Sequence, residues 1–144
     1  MYTVTPVLNT GLYASGDVLF DNSTVAITGL ASGREYLLRS FSVIDAADLG
    51  IDMTLFFMNE SFSLGTVNDP PTIGDINAAK IIGSVNLVAS GATWFDLGGA
   101  KMITITRCEL ILPSPIFIAA VILGAPTYAV NSLTFNFGLV PAIR

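Results

Sequence analysis

The sequence contains no histidine and a single cysteine among its 144 residues. A Ser-His-Asp triad therefore cannot form, and the usual zinc and transition-metal ligand sets are missing. Cys108 has no partner for an internal disulfide, and its apolar, strand-like surroundings predict a buried, unreactive thiol. There is also no Gly-Lys-Ser/Thr phosphate loop. These absences predict a protein that is not an enzyme and that carries no cofactor or metal.

Charged side chains are scarce as well, at 12% of the residues, and six basic against eleven acidic residues give a net charge of −5. The basic residues are scattered, whereas binding to phosphates needs clustered Lys and Arg, so we expect no nucleic-acid partner. No apolar run approaches the roughly 20 residues of a membrane-spanning helix. The N-terminus lacks the basic and apolar regions of a signal peptide. We expect a protein without membrane contact, made in the cytoplasm.

Apolar residues, by contrast, make up 52% of the chain. By its length the chain forms one domain, which buries about two-thirds of its unfolded surface. This apolar content exceeds what one core of that size needs, so we expect the surplus to lie against another protein.

Short apolar segments recur about every 8 to 12 residues, with Gly, Pro and Asn between them, which is typical of strands joined by turns. The predicted strands are two within residues 17–28, followed by 34–45, 53–58, 84–89, 93–97, 101–107, 109–112, 116–123 and 133–140. This pattern predicts an all-β fold of the β-sandwich or jelly-roll-like type. One short helix is predicted near residues 75–82, after a capping box made by Thr72 and Asp75.

Three of these strands carry more specific predictions. Residues 53–58 are apolar on both faces and should form a central strand. Residues 116–123 are interpreted as a central core strand, with a subunit interface as the alternative. Residues 34–45 alternate with a period of two. This alternation predicts one face with Leu37, Arg39, Phe41 and Val43, and another with Tyr36, Leu38, Ser40, Ser42 and Ile44.

Residues 1–16 are interrupted by proline and glycine and are predicted to form an extended N-terminal arm, ahead of a single β-sandwich domain at 17–144. Both the arm and the irregular segment 68–76 carry apolar side chains, which indicates that they contact a partner or a neighbouring protomer. The candidate contact residues are Tyr2, Val4, Val7, Leu8 and Leu12 in the arm, and Asn68, Pro70, Pro71, Ile73 and Ile76 in the second segment.

Two groups of residues could carry chemistry. Asp45, Asp48 and Asp52 share one loop, but the D-x-D-x-D-G calcium pattern with its terminal Glu is missing. We interpret them, like Asp17 and Asp21, as solvated turn carboxylates. Aromatic residues could form a sugar-stacking platform, although aromatics in half-buried strands more often belong to a core or a subunit interface, which we favour. The aromatic candidates are Tyr13, Tyr36, Trp94, Phe95 and Tyr128.

Four segments, in this order, resemble a group of small tailed-phage virion proteins, the capsid decoration or cement proteins. They are YASGDVLFD (13–21), VIDAADLGIDMTLFF (43–57), LGTVNDPPTIGDINAAKIIGSV (64–85) and GAPTYAVNSLTFNFGLV (124–140). The resemblance covers most of the chain. In one respect the chain departs from the group, because the connection from Leu112 to Ile116 is short where the group has a longer loop.

The resemblance implies a β-sandwich that forms a homo-oligomer, a trimer rather than a dimer, on the outer surface of the capsid. There it would bridge neighbouring copies of the major capsid protein and stabilise the shell. The virion would be its location and the host cytoplasm its place of synthesis. The alternative is a carbohydrate- or receptor-binding β-sandwich module of a phage tail or fibre.

Overall fold

The computed structural model describes residues 1–21, 25–88 and 94–143. Residues 22–24, within the two strands predicted at 17–28, and residues 89 and 93, at the ends of the strands predicted at 84–89 and 93–97, lie outside the described residues. The elements are β1 (Tyr2–Val4), β2 (Val18–Phe20), β3 (Ala26–Ile27), β4 (Glu35–Asp45), β5 (Met53–Met58), α1 (Asp75–Ala78), β6 (Ile81–Leu87), β7 (Phe95–Asp96), β8 (Lys101–Pro113), β9 (Ile116–Ile122) and β10 (Leu133–Pro141).

The strands form two antiparallel sheets. The first has the order β1-β10-β4-β8-β7, and the second has the order β2-β9-β5-β6, with β3 also paired to β9. The all-β sandwich prediction is confirmed. The central positions predicted for residues 53–58 and 116–123 are confirmed too, because β5 lies between β9 and β6, and β9 lies between β2 and β5.

Three phenylalanines hold the two sheets together at the centre. Phe41 and Phe137 come from the first sheet and Phe57 from the second, and all three are buried. Their ring centroids lie 5.6 to 6.5 Å apart, and Phe57 meets both of the other rings edge to face. Such aromatic pairs stabilise a fold by more than the burial of their apolar area alone. This cluster is therefore the centre of the main core.

The alternation predicted for β4 is wrong, because the strand changes phase at Arg39. The buried residues of β4 are Tyr36, Leu38, Phe41, Val43 and Asp45. Leu38 and Ser40 pair with consecutive residues of β10, so that Arg39 is an extra residue in a bulge. A bulge moves all later side chains of a strand to the other face. Tyr36 and Leu38 therefore lie on the same inward face as Phe41.

The segments predicted as separate strands at 101–107 and 109–112 form the single strand β8. Opposite Arg39, β8 has a second bulge, because Leu38 pairs with Leu110 while Ser40 pairs with Thr106. Arg107 and Glu109 have positive φ angles of 59° and 52° within it. A positive φ is uncommon for residues other than glycine, so the backbone is strained here. The bulge thus carries two exposed charged side chains, Arg107 and Glu109.

The outer face of the second sheet is covered by the segment from residue 59 to 74, which we call the cover loop. Leu64 of this loop is buried against Met58 and Ala119, and Ile73 packs against the same cluster. The loop is fastened to β2, because the Val18 N–H donates to the Asp69 carbonyl and the Asn68 N–H donates to the Val18 carbonyl, both at 2.9 Å. A second apolar core within the chain thus accommodates part of its surplus of apolar residues.

The helix is shorter than predicted, since α1 has only four residues and β6 begins at Ile81. The predicted capping box is wrong: Gly74 is the N-cap, and no side chain caps the helix. Thr72 instead belongs to the cover loop, where its N–H donates to the Leu64 carbonyl at 3.0 Å. In the described ranges, no helix has the length and apolar character needed to cross a membrane.

The N-terminal residues lie on the domain itself. Residues 2–4 pair with β10 as the edge strand of the first sheet. Further along, the Leu8 N–H donates to the Val130 carbonyl at 2.8 Å, and the Tyr13 N–H donates to the Pro126 carbonyl at 3.0 Å. The segment is therefore extended, as predicted, and is bonded along its length to the last part of the chain.

Removing an aromatic ring from the main core should destabilise the fold strongly. We expect Phe57→Ala to lower the free energy of unfolding by about 3–5 kcal/mol, because the cavity left between the sheets cannot collapse fully. The control is Ile76→Ala at an exposed position on α1, which should change it by less than about 0.5 kcal/mol. Urea denaturation measures both, and equal effects would contradict this assignment of the core.

Candidate interaction surfaces

The five candidate contact residues of the arm divide into two groups. Tyr2 and Val4 are half-buried in β1, and Leu8 is buried in the main core of its own chain. Val7 and Leu12, in contrast, are 71% and 69% exposed. Only these last two present most of their apolar surface to a partner.

The five candidates between residues 68 and 76 also differ in exposure. Pro70 and Pro71 are exposed, and so is Ile76, which lies on α1. Ile73 is half-buried against the second core. Asn68 is half-buried with a φ of 67°, and its Oδ1 is buried without a hydrogen-bond partner in the described part of the chain. Among the candidates in the cover loop, the two prolines are thus the ones that face outward.

The arm and the cover loop lie side by side. A Cβ atom at Gly11 would lie 3.2 Å from the Asn68 Nδ2 and 3.0 Å from the Asn9 Oδ1, so a side chain there would crowd the contact. Val67 and residues 4–7 line one concavity of about 270 Å³. The structure thus brings together the two segments that the sequence singled out. We define the arm–loop surface as the exposed apolar candidates of these two segments, which are Val7, Leu12, Pro70 and Pro71.

Asp45 is a buried carboxylate that holds a loop, and its prediction as a solvated turn residue is wrong. It is fully buried at the end of β4. Its carboxylate accepts hydrogen bonds from the backbone N–H groups of Ala47, Leu49 and Gly50, at 2.9, 3.2 and 2.8 Å. Gly50 adopts a φ of 63°. Because several donors converge on the charge, its burial is compensated and the loop is fixed.

Asp17 and Asp21 are buried in the same manner, so the solvated interpretation is wrong for them too. The Asp17 carboxylate accepts from the Ala14 N–H at 2.8 Å, and the Asp21 carboxylate accepts from the Leu64 N–H at 2.7 Å. The second bond fastens the cover loop to the end of β2. Within residues 1–21, 25–88 and 94–143, no three His, Cys, Asp or Glu side chains group as metal ligands would.

Most of the candidate aromatic residues belong to the core. Tyr13, Tyr36 and Tyr128 are buried, and the rings of Tyr13 and Tyr128 meet edge to face at 6.3 Å. The core interpretation is therefore confirmed for these three, which cannot stack on a sugar. Trp94 is half-buried, whereas Phe95 is 65% exposed on β7.

Tyr128 is unusual because its buried hydroxyl finds no hydrogen-bond partner among the residues described. Burial raises the pKa of this phenol far above its ordinary value, and the negative charge of Asp45 raises it further. Tyr13 differs, since its hydroxyl accepts from the Asn9 N–H at 2.9 Å and donates to the Leu19 carbonyl at 3.2 Å. Burial also raises the pKa of Tyr13.

Cys108 lies in the β8 bulge and is half-buried rather than fully buried. It packs against the main core, and burial raises the pKa of its thiol. A raised pKa keeps the sulfur protonated near neutral pH, where a thiol is a poor nucleophile. This environment therefore supports the prediction of an unreactive thiol, which only a reactivity measurement would test.

Sequence reasoning missed a second surface, on the outer face of the first sheet at the double bulge. Leu37, Arg39, Arg107 and Glu109 line a concavity of about 280 Å³ there. A second concavity of about 280 Å³ adjoins it, since Leu37 and Arg39 line both. We define the arginine surface as the residues around these concavities, which are Leu37, Arg39, Arg107, Glu109, Ile111, Val140 and Ile143. The sequence did not indicate this surface, because the bulge at Arg39 decides which residues of β4 face outward. No local sequence pattern reveals that bulge.

Comparison of the chain with protein-family models, with curated proteins and with solved structures gives no match.

Replacing Asp45 should destabilise the protein, because its buried carboxylate accepts hydrogen bonds from the loop that follows β4. We expect Asp45→Ala to cost about 3 kcal/mol of unfolding free energy, because three backbone N–H groups lose their acceptor. Asp45→Asn keeps an acceptor oxygen and should cost less. Asp75→Ala, at an exposed position, is the control and should stay within about 0.5 kcal/mol. A loss as small as the control's in urea denaturation would show that the carboxylate is not structural.

The tyrosine pair predicts a specific dependence on alkaline pH. Because the folded-state pKa of Tyr128 lies above the unfolded value of about 10, the stability that it contributes falls as pH rises beyond 10. Tyr128→Phe should make that fall shallower and leave stability at pH 7 unchanged or higher, since its hydroxyl is unpartnered. Tyr13→Phe should instead lower stability at pH 7, because it removes two hydrogen bonds. Denaturation measured from pH 7 to 11 tests both, and a loss with Tyr128→Phe at pH 7 would contradict the unpartnered hydroxyl.

Proposed function

We propose that this chain is a structural protein of a tailed-phage virion, a decoration protein that binds the outer surface of the capsid as a homo-oligomer. The observation that carries the proposal is the arm–loop surface. It presents apolar side chains on irregular backbone, and that backbone is fastened to a sandwich at both of its segments. This geometry suits adhesion to a large partner better than it suits chemistry on a small one.

The fastening matters because binding costs conformational entropy when loops become ordered. The arm is bonded to β10 and to residue 130, and the cover loop is bonded to β2 and to the Asp21 carboxylate. Both segments are therefore largely in place before any partner arrives. A preorganised apolar surface can give useful affinity from a small contact area.

A decoration protein would stabilise a shell through geometry. Packaged DNA pushes the shell outward, and the seams between capsid subunits are its weak points. An oligomer that spans a seam must be released from several subunits before the seam opens, so weak single contacts add to a strong total. The stiff double-core sandwich supports this role, because a bridge that bends would not oppose separation.

The sugar-binding alternative has little support in the arrangement of the aromatic residues. Three of the five candidates are buried, and of the other two only Phe95 is strongly exposed. A sugar platform needs ring faces open to solvent. We therefore carry forward the decoration function alone.

The arm–loop surface should be required for binding to the shell. We expect Val7→Ser/Leu12→Ser to weaken binding to undecorated shells of the source phage by about tenfold or more, because two exposed apolar contacts are lost. Co-sedimentation with the shells measures this directly. Point substitutions are preferable to removing residues 1–12, because Leu8 belongs to the core and β1 belongs to the first sheet.

The matched control is Leu49→Ser, which removes an exposed leucine from the loop after β4. It should bind shells as the unchanged protein does, and both variants should keep the unfolding midpoint. Failure of the unchanged protein to bind shells, or specific binding to host polysaccharide instead, would overturn the proposed function. Equal binding by the unchanged protein and the double variant would show that the arm–loop surface does not contribute to shell binding.

A further inference from the structure

We infer that the arginine surface binds a second copy of this chain, through the exposed segment Phe95-Asp96-Leu97 of that copy. The inference rests on the proposed function, which requires a homo-oligomer, and it assigns the contact between copies. It is carried by complementarity in charge and in apolar character between two different surfaces of the same molecule.

The charge of the arginine surface is unusual for this chain. With a net charge of −5, copies of the chain repel one another on average, so association needs local attraction. Arg39 and Arg107 are both exposed and line the same concavity. Neither forms an ion pair within the described residues, where the salt bridge found is Lys80–Glu60. Glu109 lines the same concavity, so two positive side chains and one negative side chain share it and its net charge is positive. The two guanidinium groups are therefore available to a carboxylate from outside.

Apolar side chains adjoin these guanidinium groups. Val140 pairs with Leu37, and Leu37 pairs with Ile111, so the three residues form a row across β10, β4 and β8. Ile111 and Val140 are exposed, and Ile143 beside them is almost fully so. The surface therefore fits a segment that carries both apolar side chains and a negative charge.

The segment 95–97 has this character. Phe95 and Leu97 are 65% and 51% exposed, and the acidic Asp96 lies between them. The Asp96 Oδ1 accepts from the Gly98 N–H at 2.7 Å, which fixes the carboxylate while its charge stays at the surface. In addition, β7 pairs with β8 at Met102 and Lys101 and is a short strand at the edge of the first sheet. Such a short edge segment can reach into a concavity of another copy.

The arginine surface and the segment 95–97 are different patches, so the contact is heterologous. Contacts of this kind close into rings when the rotation between copies permits it. Every copy of a ring then uses both patches, one as donor of the segment and one as its receptor. A ring with threefold symmetry is compatible with this arrangement and with the trimer that the sequence resemblance implies.

Charge exchange across the contact tests the inference. Mass photometry and sedimentation velocity of the purified full chain should show an oligomer. Arg39→Glu and Asp96→Arg should each raise the dissociation constant by at least about tenfold, because like charges then meet. The double variant Arg39→Glu/Asp96→Arg should recover most of the association, since the pair is restored with opposite polarity. Asp96→Asn, which keeps the acceptor for Gly98, should weaken association without disturbing the turn.

The control is Asp75→Arg, which reverses an exposed charge on α1, outside both patches, and should leave the oligomer unchanged. Unfolding midpoints identify any variant whose fold is damaged. If a charge reversal damages the fold, the effect of Asp96→Asn on the dissociation constant tests the interface in its place. A monomeric unchanged protein, single reversals without effect, or a double variant that stays dissociated would each overturn the inference. Shell binding is measured separately, so a protein that binds shells as an oligomer but is unaffected by the charge reversals would retain the proposed function and lose this interface.

Discussion

The second sheet carries apolar side chains on both of its faces, and the fold depends on covering both sets. A sandwich buries only one face of each sheet. On the other face of this sheet lie Phe56, Met58 and Ala119, which would be exposed without the cover loop. The loop buries Leu64 against them, and its middle part is held by hydrogen bonds to Val18 and Asp21. In this chain an irregular loop therefore covers the outer face of the sheet, which a helix covers in many other folds.

Covering that face has a consequence for function. Because the cover loop must stay in place to protect apolar side chains, its outward prolines are held in place as well. The arm contacts the same loop through Gly11 and Asn68, so it shares this rigidity. The Asp45 carboxylate orders a third loop by the same physical means, through backbone donors that converge on a buried charge. Buried contacts thus hold the irregular surface segments of this protein in place. A partner that contacts these segments would not have to order them first.

The sequence was informative where a pattern depends on local burial and misleading where a distant partner decides. Strand 53–58 could be predicted as central because apolar side chains on both faces permit no edge position. The bulge at Arg39 could not be predicted, because it arises from pairing with β10 and β8 and leaves no local mark. The buried state of Asp45 was missed for a related reason. An aspartate in a polar turn has the same sequence context whether its carboxylate faces water or backbone N–H groups.

The two candidate surfaces lie on different sides of the sandwich, and this placement bears on how both could act together. The arginine surface is on the outer face of the first sheet, while the prolines of the arm–loop surface belong to the layer outside the second sheet. Packed sheets are about 10 Å apart, so an interface on one outer face leaves the opposite layer open. Copies joined through Arg39 and Asp96 would therefore keep Pro70 and Pro71 free. A ring built in this way would present several identical adhesive surfaces, which is the arrangement that multivalent attachment to a repeating shell requires.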